Sequence, residues 1–314
     1  MQPFSALQQR LDKGDVVILD GGTGTELEQR GVPMDSKAWC GPATLEHLAE
    51  LEEVHRDYIA AGADVVTANT YASSLLMLEP AGFADQFENL NRAAIRAAHR
   101  ARLTSGRGDV AVAGSLSHMI PVVEGDDRSD LAHAPSKSDM AEAFQRMASL
   151  HKDEGCDLII LEMMYHPDRM APAFEAAVAT GLPVWAGFSA RRGMGGEVLS
   201  FARERDIPFE EVAEILADFD IAAAGLMHSP SNVVADALAI LRRTYDGPLM
   251  AYPDSGYFKM PYWQFDDVMP PETFRGFAEE WVASGVQIVG GCCGLSPDHI
   301  RAISSMKDEV SPRS

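Results

Sequence analysis

Eight short apolar runs, each followed by an amphipathic stretch, constrain this chain more than any other feature. The runs are "VVILDGG" (16–22), "VVTANTY" (65–71), "VAVAGSL" (110–116), "LIILEMM" (158–164), "PVWAGFS" (183–189), "AAAGLMHS" (222–229), "PLMAYPDSG" (248–256) and "VQIVGGCCG" (286–294). Each is nearly continuous in Val, Ile, Leu and Ala, as parallel strands covered on both faces are. Helical patterns lie between them: "LEHLAELEEVHRDYIAAG" puts Leu48, Leu51, Val54, His55, Tyr58 and Ile59 on one face. Gly62, Gly155, Gly181 and Gly285 each close a helical stretch just before the next run, where glycine takes the left-handed conformation at little cost. Eight such units predict a single-domain (β/α)8 TIM barrel over 1–314, with 308–314 as a frayed polar tail. The alternative, an open doubly wound sheet, needs a topological switch that nothing in the sequence marks. The long connections 117–137, 190–207 and 256–271 all follow strands, which assigns them to the barrel's C-terminal face.

Polar residues close these apolar runs: Asp20, Asn69 with Thr70, Ser115, Glu162, Ser189, His228, Asp254, and Cys292 with Cys293. Polar ends on apolar strands point to a shared site at one mouth, although Ser115 and Ser189 would serve equally as helix caps. Asp20 and Glu162 are costly to place inside a barrel rim, which favours function for both.

Cys292 and Cys293 stand side by side between glycines. Successive strand side chains point to opposite faces, so two adjacent thiolates converge on one ion only where the backbone leaves strand geometry. Gly290, Gly291 and Gly294 permit that. His228, closing the sixth run, is the best candidate for a third ligand. Three protein ligands leave zinc one open position, and a coordinated thiol there is deprotonated into a nucleophile.

The formal net charge is −21, and the 26 Lys and Arg residues form no dense block, which argues against a nucleic-acid surface. No apolar run reaches the length of a membrane span, and the N-terminus lacks a signal-peptide pattern. Four cysteines in a chain this long suggest no disulfide framework, and a reducing cytoplasm is the default expectation. The oligomeric state stays open.

The segments "DGGTGTELEQRG" (20–31), "VHRDYIAAGADVVTANTY" (54–71), "AGSL" (113–116), "LEMM" (161–164), "YPDSG" (252–256) and "GGCCG" (290–294) together resemble the homocysteine S-methyltransferase family of zinc-dependent (β/α)8 barrels. The resemblance implies three zinc cysteines, two of which match Cys292 and Cys293. The third falls in "GLMHSPSN", where His228 stands instead. Two further departures are Asp254 where the family usually has Asn, and "GSLSHM" in place of "GSxGP". It also implies that Asp20, Gly21, Gly22 and Glu162 hold the amino-acid acceptor, a carboxylate meeting its ammonium and glycine N–H groups its carboxylate. Glu26 lies in the same segment and would either join them or support the first helix.

The expected reaction is methyl transfer from a small onium donor to homocysteine, giving methionine. Trp39, Tyr71, Tyr257, Tyr262 and Trp263 are candidates to hold a cationic donor against their ring faces. Asn69 and Ser115 complete the expected substrate-binding set. Two rivals remain at this stage: a zinc hydrolase or lyase with Glu162 or Asp254 as base, and a metal- or thiol-binding protein on a catalytically altered barrel.

Overall fold

The structure is a computed structural model that describes residues 3–131 and 134–309. Eight parallel strands form one sheet: β1 (Val17–Ile18), β2 (Val65–Thr67), β3 (Ala111–Ser117), β4 (Leu158–Met164), β5 (Val184–Phe188), β6 (Ala223–Pro230), β7 (Leu249–Asp254) and β8 (Val286–Val289). Their order around the sheet is β1-β8-β7-β6-β5-β4-β3-β2. A parallel bridge between Leu19 and Val65, with Asp64 N–H donating to Ile18 O at 2.7 Å, joins β1 to β2 and closes the barrel. This is the (β/α)8 TIM barrel expected from the alternation of runs.

All seven residues of β3 and of β4 are buried. Helices cover the outside, and their buried faces follow the helical period: Leu51, Val54, His55, Tyr58 and Ile59 on Leu48–Ala61 pack inward. His47, with φ −122° and ψ 37°, splits the expected first long helix into Ala43–Glu46 and Leu48–Ala61. Gly62, Gly155, Gly181 and Gly285 all have positive φ, so chain reversal into the next strand uses the one residue type free of a Cβ penalty. Close strand approach uses glycine differently. A Cβ on Gly225 of β6 would lie 1.9 Å from the Met250 carbonyl oxygen on β7, so no larger residue fits without moving backbone.

Before the expected tail, Lys307 Nζ is held by Gly62 O at 2.6 Å and Asp64 Oδ1 at 2.8 Å, and residues 308 and 309 of that tail end the helix Met306–Glu309. The remainder of that tail, 310–314, lies outside the described residues. Among the described residues, no helix is long and apolar enough to cross a membrane.

Two long connections fold into β-hairpins, Ala190–Arg192 with Val198–Ser200 and Tyr257–Lys259 with Tyr262–Gln264. The second hairpin, the 118–129 segment and Phe201, just beyond the first hairpin, wall a cavity of about 990 Å³, open solvent at its entrance included.

Candidate metal centre and substrate cavity

His228, Cys292 and Cys293 meet at this mouth, their ligand atoms all within 4.8 Å of one another. Cys292 Sγ lies 3.8 Å from Cys293 Sγ and 3.8 Å from His228 Nδ1. A tetrahedral zinc with ordinary bond lengths separates two sulfurs by roughly 3.8 Å and a sulfur from a nitrogen by roughly 3.6 Å. The donor set therefore fits one such ion.

The backbone makes this convergence in two places. β8 ends at Val289, and the chain turns through Gly290 and Gly291, whose amides donate to Ala251 O and Asp20 O at 3.1 Å each. That removes the alternation which would send adjacent thiols to opposite faces. On β6 the register with β7 shifts between Met227 and Pro230, and His228 sits there with φ +43°. A left-handed histidine costs on the order of 1 kcal/mol, and the reward is a ring that reaches the cysteines. Among the described residues four non-glycines have positive φ, and three of them, Trp39, Met163 and His228, line the cavity. Backbone strain is concentrated at the mouth, as at many functional sites.

The electrostatics suit a cation. Burial pushes His228 down to about 4, which keeps the imidazole neutral and able to ligate. Contact with Cys293, then burial, pushes the Cys292 thiol well up. Burial raises Asp254 to about 7, and its Oδ2 stands 3.5 Å from His228 Nδ1. Two thiols, a carboxyl and a neutral ring thus share a buried corner.

Glu162 reaches the cavity from β4, buried, with the Ser115 hydroxyl nearby; burial raises its carboxyl to about 7. Aromatic side chains supply much of the remaining wall. Trp39 meets Tyr71 and Phe258 edge-on at 6.0 and 5.6 Å, and His228 lies between Phe201 at 5.5 Å and Trp263 at 5.8 Å.

Several expected site residues have other duties. Asp20 is fully buried behind the cavity wall. It accepts from the Thr67 amide at 2.6 Å and the Thr67 hydroxyl at 3.0 Å, with the Tyr252 hydroxyl 3.3 Å away. It braces β1 against β2 and β7, and a catalytic contact is not what its geometry offers. Glu26 turns to Arg30 at 2.8 Å and supports the first helix. Ser115 is fully buried and does not line the cavity. The Gly22 amide is taken by Leu295 O at 3.3 Å, so it is not free for a substrate carboxylate. Gly21 and Gly22 do line the cavity, and a Cβ on either would strike Leu295 O at 2.4 Å or Cys292 O at 2.8 Å. Their service is close passage of the first loop over the cysteine loop. Asn69 lines the cavity while binding Cys40 O at 3.0 Å and Thr44 Oγ1 at 3.2 Å, which fixes the loop carrying Trp39. Tyr71 lines it too, its hydroxyl on Met163 Sδ at 2.7 Å.

Tyr257 and Tyr262 are corrections: both are exposed, and their hairpin neighbours Phe258 and Trp263 face the cavity. The period-2 alternation of "YFKMPYW" carries that signal, since Tyr257 and Lys259 share one face and Phe258 takes the other. His118, Tyr165 and Phe201 also line the cavity and were not anticipated.

With the geometry in place, comparison with known proteins is direct. Residues 17–306 match the profile of the homocysteine S-methyltransferase family. A selenocysteine methyltransferase of Astragalus bisulcatus is 27% identical, covering 92% of each chain. Betaine–homocysteine S-methyltransferase 1 of Danio rerio is 28% identical over 94% of this chain and 74% of its own. Among solved structures, the homocysteine methyltransferase MmuM of Escherichia coli in its metallated form superposes with a TM-score of 0.75 at 24% identity, covering 97% of this chain and 99% of that one.

Proposed function

This chain belongs to the homocysteine S-methyltransferase family of thiol methyltransferases, and from that premise we propose its reaction: transfer of a methyl group from a small onium donor to homocysteine, giving methionine. The observation that carries this reading is the convergence of His228, Cys292 and Cys293 at the floor of an aromatic cavity. Zinc is the metal that such a nitrogen-and-thiolate set favours, and when bound it supplies the Lewis acidity that presents a substrate thiol as thiolate.

The chain's own residues do the rest. Among the described residues no cation pairs with Glu162, which faces the cavity, so its carboxylate is available to the acceptor's ammonium. Asp20, through Thr67 and Tyr252, holds the strand ends that frame the acceptor. Trp39, Phe258, Trp263 and Phe201 present ring faces and edges to the donor's cationic head, exclude water and orient the methyl group. No general base beyond the receiver of the thiol proton is required. Among the described residues every cysteine is a free thiol, which suits a reducing cytoplasm.

The test is an assay of methionine formation from homocysteine with a panel of sulfonium and quaternary ammonium donors, before and after chelation. We expect transfer that chelator abolishes and added zinc restores. Transfer insensitive to chelator, or none from any onium donor in zinc-loaded protein, would overturn the reading.

A further inference from the structure

Glu28 lies in the last turn of the helix Thr23–Gln29. A carboxylate there meets the negative end of the helix dipole, so its local setting is unfavourable and its reason must be tertiary. It is half-buried, and among the described residues no ion pair compensates it. Arg30, two positions on, is taken by Glu26 at 2.8 Å and Asp57 at 2.7 Å. The Trp263 amide instead donates to both Glu28 carboxylate oxygens, 3.1 Å from each.

That amide lies on the outward edge of the hairpin Tyr257–Lys259 with Tyr262–Gln264. A two-stranded hairpin is marginal by itself, so this one needs attachment to the barrel. Its turn pairs with the third connection, Gly125 N–H donating to Met260 O at 3.1 Å and Met260 N–H to Asp126 O at 3.2 Å. Its returning strand hangs on Glu28.

A second cavity residue meets the same helix. Trp39 packs so closely on it that a Cβ on Gly24 would lie 2.8 Å from the indole ring. The Trp39 indole N–H is buried short of a full hydrogen bond, and Glu28 is the acceptor it faces. Burial pushes the Glu28 carboxyl up, and the Trp263 amide and Trp39 indole oppose that rise. Trp39 also holds φ +46°, a conformation its surroundings must impose.

The two indoles belong to one row of rings that leads to the metal centre. Trp39 meets Phe258 at 5.6 Å, Phe258 meets Trp263 at 6.3 Å, and Trp263 meets His228 at 5.8 Å. All four line the cavity, and Glu28 stands behind them. Trp39 and Trp263 come from the first and seventh connections, so the spacing between them is not set by either segment alone.

We propose that Glu28 is a positioning residue: one carboxylate brackets Trp39 and Trp263 and thereby sets the spacing of the ring row that receives the onium head. The inference rests on the onium-donor reading above. The service is geometric, because a displaced ring no longer presents its face to the cation. Glu28→Gln keeps an acceptor oxygen for the Trp263 amide, whereas Glu28→Met keeps the side-chain length and offers none.

The test combines calorimetric binding of trimethylsulfonium to zinc-loaded protein with NMR of protein isotope-labelled at nitrogen in its four tryptophans. Glu28→Met should weaken probe binding about tenfold and Glu28→Gln about threefold or less, with zinc content unchanged in both. In the Met variant the backbone signal of Trp263 and the indole signal of Trp39 should move. Those of Trp185 and Trp281, buried away from the cavity, should stay. Should Glu28→Met not fold, Glu28→Ala carries the same expectations. Unchanged probe affinity in Glu28→Met would overturn the proposal. So would an equal loss in the Met and Gln variants, which would assign Glu28 a role through its charge, or displacement of all four tryptophans alike, which would assign it a general structural one. A wild type that binds no onium probe would sink the onium reading, and the tryptophan signals would still decide whether Glu28 holds the two rings.

Discussion

Replacing Cys292 by alanine is expected to take bound zinc from one equivalent per chain to none after dialysis, and to remove methyl transfer with it. The argument is one of ligand count. Zinc binding to sets of this kind is worth about 10–16 kcal/mol near neutral pH, so one ligand of three carries about 3–5 kcal/mol, a loss of roughly 10²- to 10⁴-fold in affinity. Cys293→Ala and His228→Ala should behave alike, since all three ligand atoms lie within 4.8 Å of one another. His228→Cys should retain the metal. Cys156→Ala is the control, a buried free thiol away from the cavity whose loss affects packing alone. Elemental analysis with a competing chromophoric chelator measures the series. Full zinc content in His228→Ala would remove the histidine from the centre.

The second large effect concerns Glu162. Glu162→Gln should lower kcat/KM for homocysteine by about 30- to 1000-fold, because a desolvated carboxylate–ammonium contact is worth about 2–4 kcal/mol. The pH dependence should change with it. Burial raises Glu162 to about 7 in the free protein, so below that pH the acceptor must displace a proton to bind. Affinity for L-2-aminobutyrate, which brings the ammonium without a thiol proton to release, should fall about tenfold per pH unit below 7 and level off above it. Glu162→Gln should flatten that limb. A thiol lacking the amino group, 4-mercaptobutyrate, should be used equally well by both proteins. An unchanged acidic limb in the variant, or an equal loss with 4-mercaptobutyrate, would show that Glu162 does not meet the ammonium.

The barrel was legible in the chain because buried parallel strands leave a local signature, apolar runs of five to eight residues closed by glycine and a polar residue. The cysteine pair was legible for a related reason, since only a glycine-flanked turn lets neighbours converge. Side-chain direction at the strand ends was not. Asp20, Glu26 and Glu162 all read as acidic rim residues, yet one braces strands, one pairs with Arg30 and one faces the cavity. Those outcomes depend on dihedral angles where the strand stops, which no periodicity records. The hairpin that carries Phe258 and Trp263 was readable from its alternation.

The departure at His228 also reads differently in three dimensions. A histidine in place of a thiolate removes one negative charge from the centre. The Asp254 carboxyl, 3.5 Å from His228 Nδ1, stands where it can return that charge. The two departures on β6 and β7 are thus spatial neighbours.

X-ray absorption at the zinc edge of the loaded protein tests the central claim most directly. The account predicts a first shell of two sulfurs near ~2.3 Å and one imidazole nitrogen near ~2.0 Å, gaining a third sulfur when homocysteine is added. A shell of oxygen and nitrogen alone, or one that homocysteine leaves unchanged, would contradict it.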